Sequence, residues 1–81
     1  MNVREQFIID SYRLSRHAPQ VWGEFLISFR MYVTERCEEA LKAPPEIAHT
    51  AHGRAQSLLA LRDDFQKLED LYMQVQKKQS R

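Results

Sequence analysis

The chain has 81 residues, enough for one small domain and too few for a large core. Twelve Lys and Arg stand against eleven Asp and Glu, a near balance that argues against a dedicated nucleic-acid binder. The single cysteine excludes an internal disulfide and fits a reducing compartment.

No apolar run is long enough for a signal peptide or a membrane span. The expected location is therefore cytoplasmic, or within a particle assembled in the cytosol. Domains below roughly 70–80 residues often need a staple. With no disulfide and no evident metal cage, self-association is the staple that remains.

Few glycines, few prolines and the lack of an alternating β-branched run predict an all-α chain, a single helical domain over residues 1–81. The first predicted element is a short amphipathic helix over about 2–14. Asn2 can cap it, and Glu5 three residues on can complete a capping box. Val3, Phe7 and Leu14 share its apolar face, widened by Ile8 and Tyr12, and Ser15 to Ala18 form the connection.

Pro19 predicts the start of a long helix over about 19–43, because proline suits a first helical turn and disrupts an interior. Its stripe is Trp22, Leu26, Phe29, Val33, Cys37 and Ala40, flanked by Phe25 and Tyr32. The Pro44–Pro45 pair predicts a second long helix over about 45–79. Here Ala51, Leu58, Phe65 and Tyr72 recur every seven residues, with Leu61, Leu68 and Val75 each three residues after a member of that series. This 3–4 alternation draws one stripe along a helix, and a stripe this regular needs another helix to cover it. Gly53 is the weak point of the segment.

The short Ala-Pro-Pro junction predicts that the two long helices fold back as an antiparallel helical hairpin. Trp22, Leu26, Phe29 and Val33 then form a packing seam with Leu58, Leu61, Phe65 and Leu68. Ala40 is placed near Ala48, Cys37 near Ala51, Val33 near Ala55, and Trp22 near Phe65. The longer helix outruns the shorter, leaving its end to the N-terminal helix or to a second copy. Phe25, Tyr32, Tyr72 and Val75 are the candidate partner contacts, since aromatic residues at such edges anchor association.

No catalytic signature stands out, and no enzymatic activity, cofactor or metal is expected. Glu46, His49 and His52 place a Glu-x-x-His on one helix face. A bundle metal site needs a second such motif, and the chain offers one. Cys37 lies on the inner stripe, where a small buried thiol is the plain reading. Arg54 falls on the apolar stripe and either runs along the surface or pairs with Glu35 or Glu39.

The stretch Ala51-His52-Gly53-Arg54-Ala55-Gln56-Ser57-Leu58-Leu59-Ala60-Leu61, preceded by Trp22, resembles small helical-hairpin proteins encoded in the head and DNA-packaging gene clusters of tailed phages. The resemblance spans about residues 20–75. It implies a virion or packaging-associated structural component that works by contact, and transfers no site residue.

The function expected is a non-enzymatic protein–protein assembly module, partnered by copies of itself or by a larger protein. The alternative is a small nucleic-acid-binding regulator or packaging factor. Its basic end would combine Arg4, Arg13 and Arg16 with Lys77, Lys78 and Arg81.

Overall fold

The computed structural model describes residues 2–79, and these are almost entirely helical. Four helices follow in order: α1 (Val3–His17), α2 (Pro19–Lys42), α3 (Pro45–Gln66) and α4 (Leu68–Gln79). The all-α class is what the composition requires. The division into three helices is not observed, and each boundary has a local cause.

Asn2 caps α1: its Oδ1 accepts the Glu5 backbone N–H at 2.7 Å, and its Nδ2 donates to Glu5 Oε1 at 3.3 Å. The helix continues past Leu14 to His17. Nothing in Ser15-Arg16-His17 breaks a helix, and Arg16 and His17 complement the negative end of its dipole. The expected four-residue connection shrinks to Ala18. The ring of Pro19 drives the residue before it out of the helical region, and Ala18 sits at φ −135°, ψ 65°. Its N–H still reaches Leu14 O, at 3.0 Å, and its carbonyl accepts from Trp22 N at 2.8 Å. One residue therefore closes α1 and opens α2, and makes an elbow between them.

Ala43 and Pro44 are extended, and Pro45 takes the first turn of α3. The single helix expected over 45–79 is two helices, parted at Lys67. Lys67 lies at φ −107°, ψ 19°, and its N–H is shared between Asp63 O and Asp64 O. The last turn of α3 has no basic residue, and Glu69 and Asp70 open α4. Acids at a helix start are favourable, so this charge order suits two helices better than one.

The break lets α4 lie on α1. Ile8, Ile9, Leu68 and Val75 form the buried cluster, ringed by Tyr12, Trp22, Leu71 and Tyr72. The rings of Tyr12 and Tyr72 stack with centroids 3.9 Å apart. The apolar face of α1 is thus corrected. Ile8 and Ile9 are inside, whereas Val3, Phe7 and Leu14 are on the surface.

Trp22 near the start of α2 meets Phe65 near the end of α3, at 5.3 Å between centroids. At the other end His52 meets Ala40, where Ala48 was expected, a displacement of about one turn. The His52 Nε2–H donates to the Ala40 carbonyl at 3.0 Å. That carbonyl lies in the last turn of α2, where its backbone partner is the Ala43 N–H at 3.4 Å, a long bond that leaves room for a second donor. Val33, Ala40 and Ala55 are buried between these helices. Of the remaining seam, Leu68 is buried, while Trp22, Leu26, Phe29, Leu58, Leu61 and Phe65 are half-buried.

Gly53 admits no close neighbour, since a Cβ built there meets nothing within 4 Å. Gly53→Ala is accordingly expected to stabilise the fold by about 0.5–1 kcal/mol. Thermal denaturation followed by circular dichroism checks this, and a lowered midpoint would contradict it.

Candidate protein-interaction surface

Phe65 ends the apolar stripe of α3 and touches both earlier helices. Its ring centroid lies 6.0 Å from Phe7 of α1, and 5.3, 6.2 and 5.3 Å from Trp22, Phe25 and Phe29 of α2. Trp22, Phe25 and Phe29 meet it edge to face, the arrangement that the ring quadrupoles favour. The elbow at Ala18 sets this geometry, by swinging α2 so that its first turns face the same ring as Phe7.

Above this cluster a groove of ≈ 340 Å³ opens, lined by Phe7, Ser11, Leu14, Val21, Trp22, Phe25 and Phe65. Val21 is 63% exposed, Leu14 52%, Phe25 46% and Phe7 44%. The sequence reading anticipated Phe25 at an edge, but it placed Phe7 and Leu14 inside and did not single out Val21. The signal was present. At about 100° per residue, Phe7 and Ile9 point to nearly opposite sides of α1, so the helix is apolar on two faces.

The other expected contacts divide. Tyr32 is exposed beyond the groove, with the Arg36 guanidinium 5.1 Å from its ring centroid. Tyr72 and Val75 are covered by α1 within the chain: Tyr72 stacks on Tyr12, and Val75 is in the core. They are packing residues because the turn at Lys67 folds α4 inward.

Among the described residues no three His, Cys, Asp or Glu side chains converge as a metal-binding group. His52 is engaged with Ala40, His49 is exposed, and Cys37 is half-buried. Glu39 takes Arg36 at 2.8 Å, and Arg54 remains exposed.

The basic ends are partly neutralised. Arg4 faces Asp64 at 3.7 Å, Lys78 Nζ donates to Glu5 at 2.8 Å, and the Arg16 guanidinium lies 5.9 Å from the Tyr12 ring centroid. Arg81 lies outside the described residues. No helix among the described residues is long and apolar enough to cross a membrane.

The hydrogen bond and charge of Lys78 hold the nearly buried Glu5 carboxyl below the usual carboxylate range, against the opposing effect of desolvation. A depressed folded-state pKa adds stability above the unfolded value, about 4.3, and loses it as pH falls through the folded value. Melting curves from pH 7 to 3 should therefore show wild type above Lys78→Met at neutral pH, with the gap closing in acid. A gap independent of pH would contradict the clasp. Added salt should narrow it too, because Lys78 is largely exposed.

Comparison of the chain with known protein families, with curated proteins and with solved structures finds no match.

Proposed function

We propose that this chain is a non-enzymatic protein–protein assembly module that completes its burial against other protein. One observation carries the reading: the chain exposes too much surface for its mass. Its accessible surface is 6310 Å². A compact monomer of 9.6 kDa would show about 5,100 Å². The radius of gyration is 15.4 Å, against about 12 Å for a globule of this length.

Four exposed apolar side chains, Phe7, Leu14, Val21 and Phe25, lie together where three helices converge on Phe65. The two long helices, taken as a hairpin, serve as the rigid support. The likeness of the Gly53-Arg54 segment to phage hairpin proteins supports a role as a small structural component of a phage particle or its packaging machinery.

Native mass spectrometry of the chain, alone and purified from its source, tests the reading. Assemblies with itself or a stoichiometric protein partner are expected. A bare monomer from both preparations would overturn it. For the nucleic-acid alternative, the decisive condition is low salt, where phosphate contacts are strongest. The ion pairs of Arg4 and Lys78 weigh against binding there.

A further inference from the structure

We propose that a second copy of this chain closes the aromatic groove, making a two-fold dimer around the elbow between α1 and α2. The inference rests on the assembly reading and names its partner and its site.

Helix α1 is apolar on two sides. One side, Ile8 and Ile9, is covered by α4, while the other, Phe7 and Leu14, stays about half open, Phe7 meeting the Phe65 ring at 6.0 Å between centroids. Val21 and Phe25 extend that open side across the elbow onto α2.

Leu14 and Val21 form an exposed rim beside a floor made by Trp22 and Phe65. A raised rim next to a hollow on one patch suits a two-fold contact, in which the rim of each copy enters the hollow of the other.

No ionisable side chain lines the groove. The patch can meet itself without setting like charges against each other, and it offers nothing for a partner of complementary charge to read.

The chain shows 6310 Å², roughly 1,200 Å² above the surface usual for its mass. A standard interface takes about 800 Å² from each partner. One ordinary contact across this groove removes most of the excess, so a second copy is sufficient.

Sedimentation equilibrium of the full chain, from low to high micromolar, is the test. Wild type is expected at twice 9.6 kDa. Val21→Glu should return it to the monomer mass, weakening association at least about tenfold. An acid in the first turn of α2 complements the dipole, and unchanged far-ultraviolet circular dichroism verifies the fold. Leu14→Ser is the second variant should Val21→Glu unfold, and it too should dissociate. Ile27→Glu, also exposed but about 160° around α2 from Phe25, should stay dimeric.

A wild-type monomer that forms a stoichiometric complex with a different protein overturns the second copy and leaves the assembly reading standing. A monomer that binds no protein overturns both. A dimer that ignores Val21→Glu and Leu14→Ser, or one that dissociates only with Ile27→Glu, overturns the site alone.

Discussion

Ile8→Ala is expected to destabilise the chain by about 3 kcal/mol. Ile8 is 0% exposed and sits at the centre of the α1–α4 cluster with Ile9, Leu68 and Val75. Truncation removes apolar atoms from contact and leaves a hollow that the neighbours fill only in part, and both losses add. A chain of 81 residues has roughly 4–12 kcal/mol of total stability. Losing about 3 kcal/mol is therefore a large share, and α4 would lose much of its hold. Urea unfolding followed by the fluorescence of Trp22, the sole tryptophan, measures it. Val3→Ala, on the exposed side of the same helix, should change stability by less than about 0.5 kcal/mol. A larger loss from Val3→Ala than from Ile8→Ala would mean that α1 is docked by its other face.

Phe65→Ala should cost a similar amount, about 3 kcal/mol, the low end for phenylalanine because the ring is half-buried. Its importance comes from position. One ring joins α3 to α1 through Phe7 and to α2 through Trp22, Phe25 and Phe29. Each aromatic pair adds about 0.5–1.5 kcal/mol beyond the area it buries. Phe65→Leu keeps much of the volume and loses the ring geometry, so it should cost about half as much. The near-ultraviolet dichroism of Trp22 should weaken in both variants, because Phe65 stands edge-on to the indole at 81°. A coupling near zero in a Phe7/Phe65 double-mutant cycle would show that the rings do not act as a unit.

The local features were legible. Asn2 caps α1 because a side-chain oxygen can satisfy an orphan N–H a turn later, and this needs only residues 2 to 5. Pro19 and Pro45 start helices because their rings dictate it wherever they stand. The meeting of Trp22 with Phe65 followed from the brevity of the Ala43-Pro44 junction, although Ala40 slipped by a turn relative to its expected neighbour.

Two features were not legible, for different reasons. The break at Lys67 has no glycine or proline to mark it, and the seven-residue repeat runs through it unchanged. Leu61 to Leu68 and Phe65 to Tyr72 keep their spacing whether the helix bends or not. Periodicity reports which residues share a face and is silent about the direction of the axis. The second feature is the buried side of α1. Val3, Phe7 and Leu14 make as good a stripe as Ile8, Ile9 and Tyr12, so the choice belongs to whatever docks.

What the sequence determined by itself is the helical class, the prolines that begin α2 and α3, and the residues able to form a seam. These depend on backbone sterics and on the period of one helix, both encoded within a few turns. Only the tertiary structure decided that α4 turns back, that Ile8 and Val75 are interior, and that Phe7, Leu14, Val21 and Phe25 face outward. Those outcomes rest on competition between faces of similar apolarity, and burying either one releases a comparable amount of water. The winner is fixed by which helix can reach it.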